Sequence, residues 1–232
     1  LKNDRKALQR TRMWQYFIEA ATDLITEEGM EKLTIRKVAD LAGYTSSTAY
    51  NYFSDLSQLK FFAALRFTKS YSADLSTFLA KGNNTIEKWL YSWECFCKHS
   101  FKQPYIYAVI FIENVGSSAQ SLLDKYYDVF PDDLIAIPPE MKELLMDESF
   151  ARRSSKFIEP AIEEGFIDDK HIKHLADITF MIWTGAMTTY MNQRRGWTEQ
   201  EAIQYTLESV QDIILQYIKP DKRALIKYTP TH

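Results

Sequence analysis

Thr34-Ile35-Arg36-Lys37-Val38-Ala39-Asp40-Leu41-Ala42-Gly43-Tyr44-Thr45-Ser46-Ser47-Thr48-Ala49-Tyr50-Asn51-Tyr52-Phe53 is the stretch on which the reading of this 232-residue chain turns. Thr34 is a good N-cap for a short helix carrying Ile35, Val38, Ala39 and Leu41. Ala39 is small where two helices must cross closely, and Gly43 permits the tight turn that follows. Thr45 or Ser46 caps a second short helix, which buries Ala49 and Phe53 and leaves Ser46, Ser47, Thr48 and Asn51 outward. The spacing predicts a helix-turn-helix. Short hydroxyl and amide side chains at the start of such a helix reach base edges in a major groove. Hydroxyls and backbone N–H groups also suit phosphate oxygens. The competing local reading is a plain helical hairpin with a glycine turn.

Upstream, Trp14, Phe17, Ile18, Ala21, Leu24 and Ile25 recur at helical spacing, and Gly29 closes that helix. Before it, Lys2, Arg5, Lys6, Arg10 and Arg12 outweigh Asp4 by four charges, a basic arm expected to add phosphate or minor-groove contacts. Residues 1–60 carry net +1 and the rest net −4, so positive charge gathers at one end. Downstream, a long helix is expected from Asp55 to Leu79, and Thr85 is expected to cap the next, to Lys102. Pro104 opens a further run, with a break at Gly116-Ser117-Ser118 before Ala119 to Phe130. Pro131-Asp132-Asp133 and Pro138-Pro139 mark the least regular region, and Pro160 kinks or restarts a helix between Ser149 and Gly165. Asp168 to Arg194 and the run opened by the capping box Thr198-Glu199-Gln200-Glu201 are the clearest helices. The division falls near Phe53 to Leu59: a head of residues 1–55 and a larger body of 56–232.

Composition bounds the alternatives. Glycine is scarce, 7 of 232, which disfavours hairpin-rich β folds and Gly-rich phosphate loops. With 46% hydrophobic residues and net charge −3, the chain reads as folded rather than disordered. Two cysteines, Cys95 and Cys97, cannot build a disulfide framework, which fits a reducing compartment. No apolar run approaches a membrane span and no signal peptide is visible, so the expected location is the cytoplasm. The first residue is Leu and not Met, so a natural start upstream is expected.

The segment resembles the TetR family of bacterial transcriptional regulators. The family pattern is a Thr opening helix two, an Ile/Val-Ala pair, Ala-Gly before a hydrophobic turn residue, then Ser-x-Gly-Thr-hydrophobic-Tyr-x-Tyr/His-Phe. Here those positions read Thr34, Val38-Ala39, Ala42-Gly43, Tyr44 and Thr45 through Phe53. The resemblance covers roughly residues 10 to 60. It implies an all-α fold: an N-terminal three-helix DNA-binding head with a helix-turn-helix, followed by a larger helical ligand-binding and dimerisation body. It implies a homodimer on a palindromic double-stranded operator, released by a small-molecule effector and repressing transcription. Position by position, Ser46, Ser47, Thr48 and Asn51 would face bases and Arg36 a base or phosphate, while Thr34, Thr45, Tyr50 and Tyr52 would hold phosphates. Packing against the first helix is the competing role for the two tyrosines. Two positions depart from the pattern: Leu56 stands where the family has a phosphate-binding Lys, and Ser47 where it has Gly. Leu56 keeps open a regulator of this fold that acts through a protein partner instead of an operator.

In the body, Trp89, Trp93, Phe96, Tyr105, Phe111, Tyr126, Tyr127, Met181, Trp183 and Met187 are candidates to line an apolar or aromatic effector pocket, with Glu113 and Asn114 as nearby polar groups. For any single aromatic an ordinary core position is the competing, and commoner, role. The last two helices are apolar on more faces than one bundle needs. Ile182, Ala186, Thr189, Ile203, Val210 and Ile214 are therefore expected at a two-fold four-helix interface, with burial inside one subunit as the alternative. Metal sensing has only two separated pairs, Cys95 with His99 and His171 with His174, where zinc wants four ligands or three plus water. No nucleophile-elbow, dinucleotide, P-loop or zincin motif is present, and the pairs Asp132-Asp133 and Asp168-Asp169 read as helix caps. No cofactor, metal or catalysis is expected.

Overall fold

The computed structural model describes residues 2–115, 118–134, 137 and 139–230. Among these the chain forms thirteen α-helices and no strand. They are α1 (Lys2–Glu28), α2 (Ile35–Leu41), α3 (Ser46–Tyr50), α4 (Leu56–Arg66), α5 (Lys69–Leu79), α6 (Thr85–Lys102), α7 (Pro104–Phe111), α8 (Ala119–Val129), α9 (Pro139–Leu145), α10 (Phe150–Ile158), α11 (Pro160–Glu163), α12 (Asp169–Met191) and α13 (Glu199–Tyr217). The expected break at Gly116-Ser117 and the proline at 138 lie outside the described residues. The helices divide into two compact units: Leu1–Lys69 with Tyr105–Ala136, and Ser70–Pro104 with Ile137–His232.

In the first unit, α1 closes as its sequence dictates. Gly29 takes φ 91° and its N–H bonds the Ile25 carbonyl at 2.9 Å. The basic residues that precede Trp14 are not an extended arm: they form the first turns of α1. Trp14, Phe17, Phe53 and Phe62 make an aromatic core, with Trp14 lying 4.5 Å from Phe53 and 4.7 Å from Phe62 between ring centroids. α8 packs against α1 and α4, and the Gln15 side-chain amide donates to the Val129 carbonyl at 3.1 Å.

The single helix expected from Asp55 to Leu79 is two. The N–H groups of Phe67 and Thr68 turn to carbonyls three residues back, Ala64 and Leu65, and the Thr68 hydroxyl also takes the Leu65 carbonyl at 2.8 Å. The i to i−4 ladder stops there. At this break Arg66 and Lys69 both reach the carboxylate of Asp133, each at 2.7 Å, and the Tyr126 hydroxyl donates to it as well. Asp133, read from sequence as half of a cap, is instead the hub that ties the end of α4 to the turn after α8.

In the second unit α6 is buried nearly all round, packed by α13, α10 and α11. Two indole N–H groups are bonded across its surface: Trp89 of α6 donates to the Ser154 hydroxyl at 2.9 Å, and Trp183 of α12 donates to the Ser100 hydroxyl of α6 at 3.0 Å. The cap of α6 is Asn84, whose side chain accepts from the Glu87 N–H; Thr85, expected there, is the first helical residue and gives its N–H and hydroxyl to Glu164. α9 occupies part of the region expected to be irregular. Pro160 begins α11 rather than kinking α10, since a first-turn position needs no N–H donor. The Thr198–Glu201 capping box opens α13 as read. Cys95 and Cys97 are both buried thiols, and burial pushes that of Cys95 up to about 12. No helix among the described residues is long and apolar enough to cross a membrane.

The C-terminal segment is tied to α6 by Glu87, which accepts from the Lys227 N–H at 2.7 Å and from the Asn83 N–H at 2.8 Å. Burial works against its charge, but these N–H donors outweigh it and hold the carboxyl below its ordinary value. A depressed carboxyl stabilises the fold above the usual carboxylate range and loses that contribution as pH falls through its own lower value. In an NMR titration the Lys227 amide should therefore report a midpoint below that of exposed glutamates. A midpoint at or above theirs contradicts the tie.

Candidate nucleic-acid interface

The head is built by caps and one turn. The Thr34 side chain accepts from the Lys37 N–H, and the Thr45 side chain from the Thr48 N–H, each at 3.2 Å. Between them Gly43 takes φ 78°, a left-handed position that L side chains rarely adopt, and the Tyr44 N–H returns to the Ala39 carbonyl at 2.8 Å. Val38, Ala39, Ala49 and Phe53 are fully buried, so α3 is propped on α2 and α1 by its inner face alone.

The outer face carries the sequence-read residues. Thr34, Arg36, Thr45, Ser47, Tyr50 and Asn51 are exposed, and Ser46, Thr48 and Tyr52 are half-buried. α3 is only one turn and a half: Asn51 is its C-cap and Tyr52 lies beyond it. Tyr50 is 57% exposed and does not pack inward. Tyr52 does both jobs, its ring 5.7 Å from that of Phe17 while the Arg10 guanidinium lies 5.7 Å over it. Arg10 thus brings α1 charge beside α3, which sequence alone does not place. The hydroxyls of Thr45 and Thr48 lie 3.0 Å apart, so Thr48 is partly engaged by the cap. Arg36 is almost fully solvated, with Asp40 3.9 Å away. Chemically the face offers hydroxyls, an amide able to donate and accept, and one guanidinium.

The candidates in the body fall in both units. Tyr105, Phe111, Glu113, Asn114, Tyr126 and Tyr127 belong to the first unit, and Trp89, Trp93, Phe96, Met181, Trp183 and Met187 to the second. Trp89 and Trp93 line a void in the second unit together with Tyr71, Phe150, Arg153 and Phe157. Phe96, Trp183 and Met187 are buried in the core of that unit, and Met181 is 68% exposed. Of the expected interface residues, Ile203, Val210, Ile214 and Ala186 are already buried within the chain. The apolar stripe of α13 is spent on its own core. Ile182 and Thr189, with the buried Ala186 at its floor, border a shallow depression between α12 and α13 that Met181, Tyr205 and Trp197 also line. In the two candidate metal pairs the Cys95 thiol turns to the Tyr71 carbonyl, His99 sits 3.0 Å from Asp74, and the rings of His171 and His174 both pack at an angle against Tyr217.

Residues 17–59 match the sequence model of the family described as bacterial regulatory proteins, tetR family. Those residues span α2, α3 and the turn between them, so the match falls on the helix-turn-helix. None of the curated proteins compared matches this sequence. Among solved structures the chain is similar to RolR, in a complex with resorcinol, at 16% identity and a TM-score of 0.64, covering 97% of this chain and 98% of that one. It is similar also to Thermus thermophilus FadR, a TetR-family transcriptional repressor in complex with lauroyl-CoA, at 12% identity and a TM-score of 0.59, covering 94% and 98%. At these identities the likeness is one of fold, and it extends over the whole helical body.

Within this head the two departures from the family pattern have clear placements. Leu56 is the first residue of α4, half-buried directly after the cap Asp55, whose carboxylate accepts from the Gln58 N–H at 3.0 Å. The α4 start is therefore capped by its own side chains and offers no cation there. Ser47 adds an exposed hydroxyl to α3.

Proposed function

We propose that this chain is a ligand-responsive transcriptional regulator that binds a palindromic operator as a homodimer, represses, and is released by a small apolar or aromatic effector. The observation that carries it is α3: its inner face is fixed by buried Ala49 and Phe53, and its outer face presents Ser46, Ser47, Tyr50 and Asn51. In this reading Ser46, Ser47, Thr48 and Asn51 read base edges, Arg36 a base or phosphate, and Thr34, Thr45, Tyr50 and Tyr52 hold phosphates. A hydroxyl that accepts a cap N–H still has its own proton to donate to a phosphate oxygen. Leu56 removes one cation from the set, and the α1 residue Arg10, beside Tyr52, supplies another.

Two features support the rest. The depression between α12 and α13, with Met181 and Tyr205 exposed, is the surface offered for two-fold pairing. The void beside Trp89 and Trp93 offers effector space, and two proteins of this fold hold resorcinol and lauroyl-CoA.

Fluorescence anisotropy with the DNA upstream of the protein's own gene tests the reading. Binding should be salt-sensitive, and Tyr50→Ala or Arg36→Ala should each weaken it by roughly tenfold or more. Both side chains are exposed, so circular dichroism should be unchanged. Binding that neither substitution alters counts against α3 and α2 as the reading elements.

A further inference from the structure

The face of α1 that enters the core of the head changes character along the helix. From Met13 onward it is apolar: Met13, Phe17, Ala20 and Leu24 follow one another three or four residues apart, and all are buried. Carried back toward the helix start, the same stripe reads Arg10 and then Lys6, and both are exposed. The helix does not stop where its apolar face stops, since α1 begins at Lys2. Two cations therefore stand where the helical period would otherwise place core residues.

Arg10 fixes where this extension lies. Its guanidinium is 5.7 Å over the ring of Tyr52, just beyond α3, so the basic stripe continues the outer face of the helix-turn-helix. Among the described residues neither Lys6 nor Arg10 pairs with a carboxylate, and their charge is not neutralised within the head. The helical form limits what the stripe can touch on a duplex. A helix with its side chains is about 10–12 Å across and the minor groove about 6 Å wide, so α1 cannot enter that groove as an extended arm could. What it can reach is the backbone. Lys6 and Arg10 are about 6 Å apart along the helix, more than the about 3.4 Å between phosphates of one strand along the duplex axis, so they address different phosphates.

We infer that the start of α1 is a rail of two cations, Lys6 and Arg10, that lies along the phosphate backbone of duplex DNA beside the base pairs met by α3 and reads no base itself. This rests on the operator reading and names a further surface that serves it. Arg5 and Arg12 are also exposed, but they lie about a third of a turn round the helix from the stripe and make no such contact.

Anisotropy titrations of the full chain across a series of salt concentrations test the rail. They use the DNA upstream of the protein's own gene and an unrelated duplex of equal length. Lys6→Ala with Arg10→Ala should flatten the slope of log affinity against log salt by about two, and should weaken both duplexes by a similar factor of roughly tenfold or more. Lys6→Arg with Arg10→Lys keeps both charges and should keep the slope. Arg5→Ala with Arg12→Ala removes the same charge from the other side of α1 and should leave the slope nearly unchanged. All four side chains are exposed, so circular dichroism should not change. An unaltered slope in the first variant overturns the rail, and so does an equal loss in the third, which would make the effect one of net charge. A lost slope in the charge-keeping pair overturns it too, by tracing the effect to packing on Tyr52. Poly-glutamate that binds the parent as tightly as duplex, with the same dependence on Lys6 and Arg10, assigns the face to an acidic protein instead. A parent that does not prefer its own upstream DNA overturns the operator reading, while the slopes on the unrelated duplex still decide the rail. A parent that binds neither duplex overturns both.

Discussion

Phe53→Ala unfolds the head and abolishes operator binding without touching any residue of the outer face of α3. Phe53 is fully buried and meets the rings of Trp14, Phe17 and Phe62 at centroid distances of 4.5, 6.0 and 6.1 Å. Truncating such a residue costs about 3–5 kcal/mol, through lost transfer energy and the cavity left behind. The loss falls where three helices converge on one ring cluster, since Phe53 follows α3, Trp14 and Phe17 lie on α1, and Phe62 lies on α4. The helix α3, only five residues long, has no stability of its own and depends on that cluster. Denaturant unfolding followed by tryptophan fluorescence should show the loss directly. Phe53→Leu, which restores most of the volume, should recover the greater part of it. A Phe53→Ala protein with parental stability and operator affinity would remove the ring cluster from the account of how α3 is held.

Asp133→Asn should cost roughly 3 kcal/mol, toward the lower end of what breaking a buried ion pair costs. The Asp133 carboxylate is 7% exposed and takes Arg66 and Lys69 together, with the Tyr126 hydroxyl as a third donor. Arg66 is itself only 20% exposed and lies 4.2 Å over the Phe130 ring, so it cannot turn to water when the carboxylate is lost. Lys69 is half exposed and can, which keeps the cost from the upper end. The asparagine keeps the shape and removes the charge. Adding Arg66→Met to Asp133→Asn should restore part of the stability, because the cation left behind carries most of the penalty. Chemical denaturation of the four proteins of this cycle measures it. Strictly additive effects would show that Asp133 and Arg66 are not coupled.

These two sites show how differently parts of the molecule could be read in advance. Phe53, Gly43 and the caps Thr34 and Thr45 stood out in the sequence because their roles are local: a cap bonds an N–H three residues away, and a left-handed turn needs a glycine at that position. The hub at Asp133 did not, since it joins residues 67 positions apart and an Asp-Asp pair before an apolar residue looks the same whether it caps a helix or holds an arginine. The aromatic residues of the body say less than they suggest, for a related reason. A Trp or Phe at helical spacing signals burial, yet it does not say which unit receives it, and the ten aromatic and Met candidates fall in both units.

Local chemistry, then, is what the amino-acid order settled: helices throughout, most of their caps, and the turn that sets α3 on α2. Each of these rests on bonds spanning a few residues. Three matters waited on the folded chain: the stop after Arg66, the commitment of Ile203, Val210 and Ile214 to the interior of their own unit, and the void beside Trp89 and Trp93. Each depends on which distant segments come to lie against one another, and helical periodicity reports that a face is apolar without naming the surface that covers it.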